Sequence, residues 1–316
     1  MAMKKTRVLR VVASQDVTWE QALEDFLLWK KAEGKSERTL KDYGYHVRNF
    51  IKCYPNTSLS KPVDLRSCII KYLAEPAKPA YYNNKMVYLK TFFNWCMTEE
   101  LLTDNPLKDF KRRKADERIV QIDMEVIKKL LALPDQSTFP GLRDYALILL
   151  HMDTGIRPKE ALSLLVTDIN STALEVYVRA ENAKTRIART LPISPITVKA
   201  IEKLIRVRST YWKEEVPVFC TCEGEKMLVN GWCKRINKYG IKLGVNLYPY
   251  QFRHTFALEY LRNGGNSFAL QKIMGHADLN MTKRYVALAN TDVKEQHTMA
   301  SPVIKLIQNK SRTRKL

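Results

Sequence analysis

One interval breaks an otherwise helical pattern. Apolar residues recur at helical spacing along the chain, but around 173–193 the period drops to two. There Leu174, Val176 and Val178 alternate with Glu175, Tyr177 and Arg179, as in a half-buried strand. Glu181-Asn182-Ala183 reads as the turn and residues 186–193 as the returning strand. The expected fold class is therefore mostly α with a small antiparallel β-sheet (α+β), the sheet lying in the second of two domains. The first domain is expected to be all α.

That first domain spans 17–110, after an N-terminal extension at 1–16. Thr18 reads as an N-cap, with Gln21 completing a capping box. Trp19, Leu23, Phe26 and Leu27 form the apolar stripe that follows, and Gly34 ends the helix. A second helix begins near Ser36. Leu40, Tyr43, Val47 and Phe50 make its apolar face, while Arg38, Lys41, Tyr45 and Arg48 make a basic one. A helix near 82–98 repeats this design, with Val87, Leu89, Phe92, Phe93 and Cys96 opposite Lys85, Lys90 and Asn94. Asn105-Pro106 closes the domain. Lys111-Arg112-Arg113-Lys114 then reads as an exposed basic linker within 111–121. The second domain covers 122–290 and a C-terminal helix or tail 291–316. Its segment 142–152 is apolar nearly all round, so it is expected to be a buried helix. Further helices are expected at 195–208, 229–242, 251–263 and 267–274.

Charge narrows the partner. The chain has 53 Lys plus Arg against 33 Asp plus Glu, a net +20, which points to a polyanion, most often nucleic acid. No secretory leader is visible and no run of about 18 apolar residues could span a membrane. Six scattered cysteines read as reduced thiols of a cytoplasmic protein. Cys220-Thr221-Cys222 with Cys233 lacks a second paired ligand set, and no metal site is expected. A phosphate-binding G-x-x-x-x-G-K-[ST] loop and an H-E-x-x-H helix are both missing from the sequence.

Four short stretches carry candidate chemistry. In Thr154-Gly155-Ile156-Arg157-Pro158-Lys159-Glu160, Arg157 stands at a helix N-terminus, where anions are favoured, and Glu160 lies one turn on. Lys184 sits at the tip of the hairpin. In Pro249-Tyr250-Gln251-Phe252-Arg253-His254-Thr255-Phe256, Arg253 lies beside the buried stripe of Phe252, Phe256, Tyr260 and Leu261. Met274-Gly275-His276 precedes Tyr285 by nine positions from the histidine.

In this order the four stretches resemble the tyrosine recombinase, or phage integrase, family. TLKDYGYHVRNF and VYLKTFFNWCMTEELLTDNPLKDFKRRK also look like that family's core-binding domain, and Lys184 to Pro192 is its usual hairpin spacing. The resemblance implies a two-domain clamp on DNA and a site-specific recombinase of a mobile element. Such an enzyme cuts and rejoins DNA through a covalent 3′-phosphotyrosine and a Holliday junction, with no metal and no other cofactor. It implies that Arg157 and Arg253 hold the scissile phosphate. Lys184 is implied as general acid to the leaving 5′-oxygen, His276 as a hydrogen-bond donor to a phosphate oxygen, Tyr285 as the nucleophile and Glu160 as the supporting carboxylate. Double-stranded DNA sites, a homo-tetramer and an accessory directionality factor are the implied partners, in a bacterial, nucleoid-associated setting. Arg38, Lys41, Arg48, Lys85, Lys90, Arg112 and Arg113 are the expected DNA contacts. A stripe of Val303, Leu306 and Ile307 is expected to dock on a neighbouring protomer.

One position departs from the family pattern. Tyr250 stands where a histidine usually serves in acid/base work on the nucleophile. A phenol, with a reference pKa near 10 against about 6.5 for imidazole, is a poorer proton acceptor. Tyr250 is expected to take that place with an altered acid/base step, and His254 is expected to point away from Arg253. Two other readings are a type IB topoisomerase-like strand transferase and a catalytically silent DNA-binding protein of the same fold.

Overall fold

The structure is a computed structural model, and it describes residues 17–57, 59, 62–114, 119–289, 297 and 301–303. The expected extension 1–16 and most of 291–316, including Leu306 and Ile307, lie outside the described residues. The chain divides into two compact units at 117/118.

The first unit is built from α1 (Trp19–Ala32), α2 (Glu37–Cys53), α3 (Pro62–Ala74) and α4 (Pro79–Thr98). The Thr18 side chain accepts from the Gln21 amide at 3.3 Å, and the Gln21 carbonyl oxygen accepts from the Thr18 amide at 3.1 Å. Two otherwise orphaned donors of the first turn are thus satisfied. Ser36 caps α2 by accepting from the Thr39 amide. Apolar stripes of α1, α2 and α4 meet in an aromatic core of Trp19, Phe26, Phe50, Phe92 and Phe93. Phe26 meets Phe92 edge to face, centroids 5.3 Å apart at 81°, an arrangement the ring quadrupoles favour. Helix α3, which lies within the stretch expected to be all helix but is not delimited by the sequence, contributes Leu65, Ile69, Tyr72 and Leu73 to the same core.

Three expected DNA contacts are placed differently. Lys85 is buried, pairs with Glu75 at 3.1 Å and lies 4.1 Å from the Tyr72 ring centroid. It is a core cation, because α4 turns that flank toward α3. Lys90 donates to the carbonyl of Lys108 at 2.9 Å. The basic run after Asn105 is not a free linker. Asn83 donates to the Arg113 carbonyl and accepts from its amide, and the Arg113 guanidinium stacks 3.7 Å from the Tyr82 ring centroid. Arg38, Lys41, Arg48 and Arg112 are exposed, with Arg38 paired to Asp42 on its own helix.

The second unit comprises α5 (Met124–Leu131), α6 (Phe139–Thr154), α7 (Pro158–Ala161), β1 (Ile169–Asn170), β2 (Glu175–Val178), β3 (Arg189–Pro192), α8 (Pro195–Arg206), α9 (Val229–Lys242), α10 (Pro249–Arg262), α11 (Ser267–Met274) and α12 (Leu279–Ala289). The sheet is antiparallel in the order β1-β2-β3, with Ile169 opposite Val176 and Val176 opposite Leu191. The hairpin is the one the alternation requires, and β1 adds a two-residue edge to it. Leu142, Ala146, Leu147, Ile148 and Leu150 bury α6 on nearly all sides, against α8 and α10 among others. A smaller cluster joins α10, α11 and α12 through Phe256, Ala257, Leu261, Leu270, Met274, Tyr285 and Ala289. The architecture is mostly helical with one small antiparallel sheet.

Candidate active site

Two glycine-ended helices frame the site. Gly155 stops α6 with φ +60°, and Gly275 stops α11 with φ +61°, left-handed positions that few other residues adopt. A Cβ on Gly155 would sit 2.4 Å from the Phe256 ring, so the turn lies hard against α10. Beyond each glycine comes a site residue. Arg157 follows the first and opens α7, and His276 follows the second.

Three arginines converge on the end of α11. The carbonyls of Ile273, Met274 and Gly275 accept from Arg189 Nε at 3.0 Å, Arg253 Nη2 at 2.7 Å and Arg157 Nη2 at 3.2 Å. The last carbonyls of a helix lack intrahelical partners and carry its negative dipole end. Here that end is capped by cations, which helps the three guanidiniums share one pocket. Glu160 supplies a full counter-charge, accepting from Arg157 Nη1 at 3.0 Å and from Arg189 Nη2 at 2.6 Å. Burial acts against its carboxylate, but Arg189 and then Arg157 outweigh that and hold its pKa below the usual range. Arg253 Nη1 also reaches the Gly155 carbonyl at 2.6 Å. Burial, and then the charge of Arg157, push Arg253 down to about 9, so it stays cationic at neutral pH. Arg157 and Arg253 each spend two of five N–H donors on these bonds and keep the others for a further acceptor.

Arg189 is a site residue that the motifs do not mark. A signal for it is present in the sequence: it lies in phase with buried Leu191 on β3, and an inward-facing cation on a half-buried strand needs a buried partner.

His276 is 7% exposed. Its Nδ1 lies 2.9 Å from the hydroxyl of buried Thr282, which fixes the ring and leaves Nε2 for another group. Burial, then Arg253, Arg157 and Arg189, lower its pKa to about 4, so the imidazole is neutral. Tyr285 stacks on it, with centroids 6.2 Å apart and planes 9° apart. Burial raises the Tyr285 phenol above its ordinary pKa, against the opposing pull of Arg253, Arg284 and Arg157. Arg157, Arg253, His276, Tyr285 and Glu160 are thus brought together in one unit. Below them His151 is fully buried, donating from Nδ1 to the Ile156 carbonyl at 3.1 Å and accepting from Trp232 Nε1 at 3.2 Å. It braces the turn that presents Arg157.

Two expected residues are exposed. Lys184 is exposed in the turn between β2 and β3 and makes no ion pair among the described residues. Tyr250 is 53% exposed and forms no hydrogen bond to Tyr285, contrary to expectation. It follows Pro249 in the first turn of α10, before that helix reaches the level of the Tyr285 hydroxyl. His254, expected to point away from Arg253, lies one turn further along the same flank. Its Nδ1 is 2.7 Å from the Tyr285 hydroxyl. A rotation of about 100° per residue does separate it from Arg253, but α12 packs on that side and carries the tyrosine to it. Among the described residues, no group of three or more His, Cys, Asp or Glu side chains is arranged to hold a metal, and no helix is long and apolar enough to cross a membrane.

Known proteins resemble this chain in sequence and in fold. Residues 121–292 match the model of the phage integrase family. Tyrosine recombinase XerC of Serratia marcescens is 24% identical over 292 residues, 90% of this chain and 95% of that protein. XerC of Alcanivorax borkumensis is 29% identical over 220 residues, 68% of this chain and 71% of that protein. Similar folds include the Tn1549 transposon integrase with transposon right end DNA (18% identity, 91% and 99% of the two chains, TM-score 0.72). Another is the XerH site-specific recombinase in a post-cleavage complex with its difH substrate (19% identity, 91% and 85%, TM-score 0.69).

Proposed function

This chain belongs to the phage integrase family, and from that premise we propose that it cleaves and rejoins double-stranded DNA through a phosphotyrosine at Tyr285. Its enzyme class is tyrosine-type site-specific recombinase. The observation that carries the chemistry is buried Tyr285, stacked on His276 and bonded to His254, in the same unit as Arg157 and Arg253, which both keep unspent donors.

A phosphodiester repels nucleophiles because its oxygens are charged, and the transition state gathers more charge. Two guanidiniums present forked, permanently charged donors that match phosphate oxygens. Held by Glu160 and by the α11 carbonyls, they need little reorganisation on binding, and losing one such donor typically costs about 10²–10³ in rate. His276 Nε2 is positioned to donate a further hydrogen bond. Lys184, on the exposed hairpin turn, is the group that would protonate the departing 5′-oxygen. The covalent ester keeps the bond energy, so resealing requires only a 5′-hydroxyl. The arginines supply the charge stabilisation that a metal would otherwise give.

The finer reading is an integrase of a mobile element, acting as a homo-tetramer on two paired sites through a Holliday junction, with an accessory protein setting direction. The family membership and the +20 charge support it. Exposed Arg38, Lys41, Arg48 and Arg112 are the proposed backbone contacts of the helical first unit, and the bacterial nucleoid is the proposed setting. Incubation in EDTA with the DNA that carries this gene, followed by denaturing capture and sequencing of adducts, tests the reading. Adducts clustered at one short inverted repeat are expected. Adducts spread without sequence preference would favour a topoisomerase-like activity, and their absence a DNA-binding protein only.

A further inference from the structure

We propose that His254 is the base that takes the proton from the Tyr285 hydroxyl as its oxygen attacks phosphorus, a role that rests on the recombinase reading above. The contact is direct, 2.7 Å from Nδ1 to the phenolic oxygen, which is within range for proton transfer. The rings lie 5.9 Å apart at 37°, so the imidazole edge, with its lone pair, meets the hydroxyl. Among the described residues no other hydrogen bond reaches the His254 ring, which leaves Nε2 to hold the proton of the neutral tautomer.

The two competitors fail on geometry. His276 presents a parallel face to Tyr285, and its Nδ1 is engaged by Thr282. Tyr250 is exposed and makes no such bond. Tyr250 stands where the family pattern has a histidine three residues before Arg253, and His254 lies one turn further along α10 on the same flank. The surroundings suit a base. The charged groups facing His254 are Arg253 on its own helix and Arg284 on α12, and with burial as the leading cause they hold its pKa below the ordinary value. The ring is therefore neutral at neutral pH and its Nδ1 can accept.

The step balances. The Tyr285 oxygen forms a bond to phosphorus while the bond from phosphorus to the 5′-oxygen breaks. The phenolic proton moves to His254 Nδ1, and the departing oxygen takes a proton from Lys184. In resealing, the 5′-hydroxyl gives its proton back to Lys184 as its oxygen bonds to phosphorus, the bond from phosphorus to the Tyr285 oxygen breaks, and His254 returns its proton to the leaving phenolate.

The test is single-turnover cleavage of a nicked duplex carrying the site mapped from wild-type adducts, with oxygen or sulfur at the 5′ leaving position. His254→Ala and His254→Asn are compared with Tyr285→Phe, Lys184→Ala and Tyr250→Phe, with thermal unfolding and DNA affinity measured for each. His254→Asn keeps an acceptor near the Nδ1 position but is no base. Both His254 variants are expected to bind the duplex as wild type does and to cleave about 10²–10⁴-fold more slowly. The loss should persist with sulfur, whose thiolate leaves without a proton, whereas the Lys184→Ala loss should be relieved. Wild-type rates in His254→Asn, rescue of it by sulfur, or a larger loss in Tyr250→Phe would each overturn the assignment. Absence of any wild-type adduct would instead overturn the recombinase reading, and the assignment with it.

Discussion

The carboxylate of Glu160 accepts from the Arg189 guanidinium at 2.6 Å while its other oxygen holds Arg157 at 3.0 Å. One buried anion therefore fixes a strand of the sheet and Arg157, the proposed phosphate-binding arginine, at once. Removing it leaves three buried cations with only helix carbonyls to face. Glu160→Ala is expected to cost about 3–5 kcal/mol of stability in urea unfolding, the usual penalty of stranding buried charge. Glu160→Gln keeps the shape without the charge and should cleave DNA roughly 10²-fold more slowly, at the low end of losing one oriented donor. An unchanged urea midpoint for Glu160→Ala would mean that the pocket does not depend on this carboxylate.

The buried position of Lys85 predicts a stability effect where its sequence suggested a DNA contact. Lys85→Met should lower stability by about 1–2 kcal/mol, since both the cation–ring interaction and the Glu75 pair disappear. The slope of log affinity against log salt should stay as in wild type. Lys41→Ala and Arg48→Ala should do the reverse, keeping the melting temperature and reducing that slope by about one for each phosphate left without its cation. A reduced slope in Lys85→Met would return it to the DNA surface.

Acid should weaken the second unit earlier than its carboxylates alone would. His276 and His151 are both held at about 4, chiefly by burial, against 6.5 in an unfolded chain. Between those values the unfolded state binds more protons, so stability is full above about 6.5 and declines as pH falls toward about 4. Each histidine can contribute roughly 3 kcal/mol at most across that window. Urea unfolding at pH 7 and pH 5 should show the decline, and His276→Asn should remove part of it. A flat profile between those pH values would contradict the assigned neutrality.

Much of this fold could be read from periodicity. The capping box at Thr18, the apolar α6 and the period-two hairpin each follow from local rules, and the structure has them. What stayed illegible depends on three-dimensional neighbours. Lys85 reads as a surface cation because nothing local announces that Glu75 and Tyr72 will cover it. Arg189 needs the return of α11 to the sheet before its partner appears. The site behaves likewise: motif order places Arg157, Arg253, His276 and Tyr285 together, but which histidine meets the tyrosine depends on the height at which α12 crosses α10. Tyr250 and His254 share a flank one turn apart, and only the packing of α12 separates them.

The central claim is that Tyr285 is the residue joined to DNA. Protease digestion of a trapped adduct, nuclease trimming and mass spectrometry of the remaining nucleotidyl-peptide test it most directly. A phosphonucleotide is expected on the peptide containing Tyr285, joined through a 3′-phosphate, with no adduct from Tyr285→Phe. A nucleotide on any other residue, or an adduct that survives Tyr285→Phe, would contradict it.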